Sequence, residues 1–277
     1  MIESGKQWTK NTALYTILII VAVIQVAPFA WMILSSFKTR QEAFAFPPIW
    51  VPHIPTVEGY RFVADNFPLL LFAANSVIIT TAVVFLNLVL NSIVAYPLAR
   101  HRFPGRDLIF WTILVTMMVP FHLILIPMFI VIARLEWVNT YWGVILPYAM
   151  KAFNIFLFVQ YFKTIPMELS KAARIDGCSE LGILFRIIWP LSKPVLITVG
   201  ILTFIQIWSL FLWPLIVLQE QTMRTLPLAL ATLKGVHGTE WNALMALATI
   251  ISVPVVLLFI WFQRYIVAGL AQTGLKG

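Results

Sequence analysis

The chain has a single cysteine, Cys178, which excludes an internal disulfide and any cysteine-rich metal site. Its four histidines follow no metal-ligand spacing, and no His-Glu-x-x-His occurs. Charged residues make up only 11% of the 277. None of the eleven acidic residues falls inside a long apolar run. Proton- and cation-coupled carriers keep carboxylates there, which argues against a secondary solute transporter. One built from amides and backbone groups stays open as the alternative. There is no Gly-x-x-x-x-Gly-Lys-Ser/Thr to cradle a phosphate, because Gly5-Lys6 is followed by Gln7. Nucleotide hydrolysis therefore belongs to another chain. No His/Asp/Ser or paired-carboxylate grouping marks an enzyme. No linker, low-complexity stretch or short repeat divides the sequence, so it is expected to form one domain, 1–277.

What the chain has in abundance is apolar length: 61% of its residues are hydrophobic. A bilayer core needs about 20 apolar residues per helix. Six stretches qualify: 12–35, 69–98, 108–133, 142–162, 195–218 and 241–266. The first is too long for the apolar core of a cleaved secretory signal and reads as a span. With both termini cytoplasmic, the inside segments carry about twice as many Lys and Arg as the outside ones. The short loop with Arg100, Arg102 and Arg106 shows this bias most clearly. The net charge of +8 is thus a signature of topology rather than of nucleic-acid binding. Two outside loops are long. Residues 37–68 contain Phe46-Pro47-Pro48-Ile49-Trp50-Val51-Pro52, an extended, proline-stiffened segment, and 219–240 mixes Pro227, Gly235 and Gly238 with polar residues. Each reads either as a partner contact or as a solvated connection.

The longest inside loop, 163–194, has a readable sequence. Pro166 suits a helix start and Glu168 suits the positive end of the helix it opens. A short helix follows from Met167 to Ile175, with Ala172 and Ala173 as a thin face turned to the cytoplasm. Gly177 permits a left-handed turn, Ser179 caps a second short helix, and Pro190 ends it. Read from the residues alone, the loop is equally a docking element or an ordinary amphipathic linker.

These residues resemble the "EAA" loop of ABC importer permeases, which runs Glu-Ala-Ala, two variable positions, Asp-Gly, then an apolar stretch ending in Pro. Ala172-Ala173, Asp176-Gly177, Phe185 and Pro190 fit, whereas Lys171 stands where the family usually has Glu, with Glu168 three residues earlier. Ser35-Ser36-Phe37-Lys38 with Phe46-Pro47-Pro48 is similar to the first outer loop of maltose-type carbohydrate permeases. So are Asn75-Ser76, Ala95-Tyr96-Pro97-Leu98-Ala99-Arg100, Phe103-Pro104-Gly105-Arg106 and Asn139-Thr140. The ending Gln263-Arg264-Tyr265, Gly269-Leu270 and Lys276-Gly277 resembles the second, six-span permease of such pairs.

The resemblance implies an all-α membrane protein with six transmembrane helices and a cytoplasmic coupling helix, the type I ABC importer permease fold. It implies residence in a bacterial or archaeal cytoplasmic (inner) membrane. The implied partners are a second permease subunit, two cytoplasmic ATPase subunits and an extracytoplasmic sugar-binding protein. ATP and Mg are then bound by the ATPase subunits, and this chain carries no cofactor. Glu168, Lys171, Ala172, Ala173, Asp176 and Gly177 are the expected ATPase-coupling residues. Monosaccharides, oligosaccharides, polyols and glycerol phosphate all suit the family.

Within the spans, Lys151 lies near the middle of the fourth. A charge at that depth faces the bundle interior or a water-filled path, satisfied by backbone carbonyls, Asn154 or water. Otherwise it snorkels from a span boundary. Sugars are held by aromatic faces with amide or hydroxyl hydrogen bonds, which makes Tyr148, Asn154, Gln206 and Trp208, with Trp213, the substrate-pathway candidates. Packing and interface anchoring are the commoner uses of such residues. Pro28, Pro120, Pro127, Pro147, Pro214 and Pro254 fall within spans and carry no mechanism by themselves.

Overall fold

The computed structural model describes the backbone of residues 2–236 and 240–274 and the side chains of 11–12, 14–233 and 240–263. Lys6, Lys10, Gly235, Gly238 and the C-terminal Arg264, Tyr265, Gly269, Leu270, Lys276 and Gly277 lie outside the described side chains. Among the described residues every element is helical. The elements are α1 (Ile2–Ser36), α2 (Arg40–Ala43), α3 (Glu58–Asn66), α4 (Leu69–Arg100), α5 (Arg106–Thr116), α6 (Phe121–Arg134), α7 (Tyr141–Ile145) and α8 (Ala152–Thr164). They continue with α9 (Met167–Ile175), α10 (Glu180–Ile183), α11 (Trp189–Leu191), α12 (Lys193–Trp208), α13 (Leu212–Val217), α14 (Leu226–Val236) and α15 (Trp241–Gly274).

Three helices are long and apolar enough to cross a membrane unbroken: Leu14–Ser36 of α1, α4, and Trp241–Gln263 of α15. Three further helix pairs pass the same test of length and apolarity together, each bent at a short break. The third span, expected to be continuous over 108–133, breaks between α5 and α6 with a 97° bend. Pro120 stands at the break: it lacks the N–H that would continue the ladder, and its own backbone is extended, φ −62° and ψ 134°. The fourth, expected over 142–162, bends by 43° between residues 148 and 152. The fifth, expected over 195–218, starts where expected and departs at its far end. It follows an 87° turn at Ser192 and stops at Trp208, resuming only as α13. Pro214 accounts for the second break, because its ring excludes the helical carbonyl of Leu210 four residues earlier.

The chain forms two compact units, Met1–Leu69 with Ala229–Val253, and Leu70–Leu228 with Pro254–Gly277. In the first unit the end of α1 and the outer loop share a polar knot. The Lys38 ammonium, 1% exposed, lies 3.6 Å from the centre of the Trp31 ring and donates to Ser35 Oγ. Burial pushes its pKa down from the ordinary lysine value. Thr39 and Glu42 close a capping box around α2, and Glu42 Oε1 also accepts from His53 N–H. Arg40 pairs with Glu240 at 2.8 Å. Gly59 packs directly on the Asn242 backbone, where a Cβ would stand 2.7 Å from its carbonyl oxygen.

The second unit has two apolar cores. One gathers Ala95, Tyr96 and Leu98 of α4 with Ile155, Phe158, Val159 and Phe162 of α8 and with Ile183, Leu184 and Ile188. The spacing of the α8 residues is that of one helical face. The other gathers Ile79 and Val83 of α4 with Ile132, Val144, Ile145, Trp213 and Val217.

Candidate coupling loop and translocation site

The loop after α8 takes the predicted helix–turn–helix form. Helix α9 covers Met167–Ile175 as expected, with Pro166 as its N-cap residue. Gly177 adopts φ +80°, and the Cys178 N–H returns to the Ala173 carbonyl at 2.9 Å. Ser179 Oγ accepts from the Gly182 N–H at the head of α10. Two expectations need correction. The helical path does not end at Pro190: it runs from α10 through a π-helical turn at Leu184–Ile188 into α11 and yields only at Ser192. Nor do Ala172 and Ala173 share an outward face. Ala172 is exposed, but Ala173 is 5% exposed and packs in the core with Phe162 and Ile183. Consecutive helical residues are about 100° apart, so one alanine of the pair must turn inward. The outward face is Glu168, Lys171, Ala172 and Ile175, and Ile175 is 87% exposed.

Two polar clusters hold this loop to α4. The first is Arg100, the last residue of α4 and 3% exposed. One guanidinium nitrogen donates to the carbonyls of Phe162 and Ile165, the other to the Pro166 carbonyl (2.9 Å) and to Ser170 Oγ (2.8 Å). It thus satisfies the carbonyls that the end of α8 leaves without helical partners. The second is Glu180, which accepts from Arg174 Nε at 2.6 Å and from Tyr96 OH at 2.8 Å, with His101 Nε2 at 3.1 Å. The Arg174 hydrogen bond holds the Glu180 carboxyl down at about 2.

The break in the fourth span is also built from α4. Lys151 has extended backbone, φ −139° and ψ 124°. Its N–H donates to Asn91 Oδ1, and Asn87 Nδ2 donates to the Tyr148 carbonyl. Asn91 and Asn154 both donate to Asn87 Oδ1, and Asn154 also reaches Thr203 Oγ1 at 3.1 Å. Asn87, Asn91 and Asn154 are each at most 1% exposed. Backbone freed by a break within a membrane must find partners inside the protein, and these amides supply them. Of the pathway candidates, Asn154 is absorbed into this network. Trp208, 4% exposed, stacks on Phe204, and Tyr148 lies against Phe121. Lys151 and Gln206 stand apart from this packing: the Lys151 ammonium is exposed and donates to Gln206 Oε1. Among the described residues its partner is this amide rather than Asn154, which is held by Asn87 and Thr203.

The sequence pattern of the family described as "Binding-protein-dependent transport system inner membrane component" matches residues 87–272. The chain belongs to this family. The permease is 40% identical over 260 residues to the arabinooligosaccharides transport system permease protein AraQ of Halalkalibacterium halodurans, covering 93% of each chain. It is 36% identical over 266 residues to the trehalose/maltose transport system permease protein MalG of Thermococcus litoralis, covering 94% of each. Its fold matches a chain of a bacterial ABC transporter involved in the import of the acidic polysaccharide alginate. That match has a TM-score of 0.82 and 23% identity, and covers 94% of the permease and 97% of that chain. Family membership removes the secondary-carrier alternative.

At the far end of α4 the permease ties down the start of the 219–240 loop. Asn75 Nδ2 donates to the carbonyls of Thr222 and Arg224, its Oδ1 accepts from Tyr141 OH, and Ser76 Oγ accepts from Leu226 N–H. Asn139, at φ +58°, accepts from the N–H groups of Gln219 and Glu220. Gly143 packs so tightly on the Trp137 carbonyl that a Cβ has no room. Asn87, Asn91 and Glu180 were not singled out from sequence, and Arg100 only as a topogenic charge and as part of the Ala95–Arg100 resemblance. The signal available was that polar residues in a span cost energy unless they work: two asparagines one turn apart, at 87 and 91, lie on one face of α4.

Proposed function

We propose that this permease is one half of the translocation pathway of an ATP-driven, binding-protein-dependent carbohydrate importer, and that α9 docks into a cytoplasmic ATPase subunit. The reading rests on α9: a short helix pinned to α4 through Arg100 and Glu180, yet presenting an exposed isoleucine, Ile175, with Glu168, Lys171 and Ala172. Met167, Leu169 and Leu181 of the same loop are also exposed, and several exposed apolar side chains together, rather than one alone, favour a contact surface. The relatives named for arabinooligosaccharides and for trehalose/maltose support a carbohydrate as the solute.

In this scheme residues 1–277 act as one membrane domain paired with a second permease, with both termini in the cytoplasm. Two ATPase subunits bind ATP and Mg, and each receives one coupling loop. Their closure moves α9, the spans rotate, and the pathway opens outward to a sugar-binding protein that meets the 219–240 loop. The Asp176-Gly177 turn carries the exposed Cys178 to the same surface. In the assembled importer, a short bifunctional maleimide at Cys178 is expected to cross-link the permease to its ATPase subunit. A complex that is active yet gives no such cross-link refutes the docking.

A further inference from the structure

Lys151 has no part in holding the coupling loop. Its ammonium stands at the break of the fourth span, and its partner, Gln206 Oε1 on α12, is neutral. Among the described residues it is in no ion pair. All eleven acidic residues lie outside the six apolar stretches, so no span of this chain offers a counter-charge. A lysine at this depth is not stable against lipid tails; it faces protein or a water-filled path. Its position is also fixed. The Lys151 N–H is held by Asn91 and the preceding turn by Asn87, both fully buried, while the side chain remains exposed on the surface of the chain. The fold thus invests buried amides in presenting one uncompensated cation, with a hydrogen-bonding amide beside it.

We propose that Lys151 is a specificity-determining contact for an anionic carbohydrate, one bearing a carboxylate, sulfonate or phosphate group. Gln206 positions the ammonium and offers its own amide to a neighbouring hydroxyl. The passing solute supplies the charge that the spans lack. A permanent carboxylate would hold the ammonium in a fixed pair; a transported anion occupies it only during passage. This inference rests on the carbohydrate-importer reading and adds the charge of the substrate to it.

The test uses the complete importer with its binding protein in proteoliposomes, and matched solutes that differ in charge. The pairs are trigalacturonate and its methyl ester, 6-sulfoquinovose and glucose, and glycerol 3-phosphate and glycerol. At least one anion is expected to be taken up at least tenfold faster than its neutral counterpart. Lys151→Met and Lys151→Gln are expected to abolish that preference, and Lys151→Arg to keep it. Equal uptake of neutral counterparts, or a preference that survives Lys151→Met, overturns the inference and leaves the carbohydrate reading intact. If both neutral variants fail to assemble while Lys151→Arg assembles, the ammonium balances the second permease, and the inference falls. Silence towards every carbohydrate, charged or neutral, overturns both readings.

Discussion

Arg100 makes four hydrogen bonds from a nearly fully buried guanidinium, three of them to backbone carbonyls around the start of α9. Removing it strands those acceptors, at about 1–3 kcal/mol for each buried group left unpaired. Arg100→Met is therefore expected to loosen α9 from α4. Reconstituted importer carrying it should still hydrolyse ATP while moving several-fold less sugar per ATP. Arg100→Lys, a point charge that cannot fork to both sides, should restore the ratio only in part. Glu180 makes a pH prediction. Its folded-state carboxyl is held at about 2, below its ordinary 4.5, chiefly by Arg174. A depressed carboxyl gives stability that is present above the unfolded value and lost as pH falls toward the folded one. A nitroxide on Cys178 should keep constant mobility down to about pH 4.5 and gain mobility as the pH falls from there toward 2. With Glu180→Gln the label should be mobile across the whole range.

At the scale of elements, the short helices of the loop were legible because their boundaries are local chemistry. Pro166, Gly177 and Ser179 each act on the backbone beside them, and α9 emerged at the expected residues. The breaks in the third and fifth spans were not legible, although Pro120 and Pro214 were in view. Proline inside a membrane helix is tolerated as often as not, and here Pro28, Pro97, Pro127 and Pro254 are carried without a break. What decides the outcome is whether neighbouring helices accept the freed groups, as Asn87 does for the Tyr148 carbonyl, 61 residues away, at the break of the fourth span. The split of Ala172 from Ala173 was missed for a different reason. A motif names residue types, while burial follows the 100° step between them. Gly177 separates conformation from crowding: a Cβ there meets no heavy atom within 4 Å, yet φ is +80°. Gly177→Asn should retain coupling, since Asn tolerates left-handed backbone. Gly177→Val should cost about 1–2 kcal/mol and lower sugar-stimulated ATPase activity of the importer.

For the whole molecule, the proposed sidedness follows from the Lys and Arg of the short loops, most strongly Arg100, Arg102 and Arg106. Cys178 and Trp50 should then face opposite compartments. A membrane-impermeant maleimide is expected to label Cys178 only in inside-out vesicles. In a Cys178→Ser background, Trp50→Cys, at a site 64% exposed, should react only in intact right-side-out cells. The reverse pattern would invert the topology and place the loop of α9 away from any cytoplasmic ATPase.

Helix α4 is tied at both ends. Asn75 and Ser76 fasten one end to the 222–226 strap, and Arg100 fastens the other to the foot of α9. The helix between these ties is unbroken and spans roughly 37 Å at 1.5 Å per residue. Its midpoint, at Asn87 and Asn91, grips the kinked fourth span. Such a member acts as a pushrod: a displacement applied at its foot reaches the far side as translation or tilt, with no intermediate joint to absorb it. In the proposed scheme, a stroke delivered to α9 by a docked ATPase would reach the 222–226 strap undiminished.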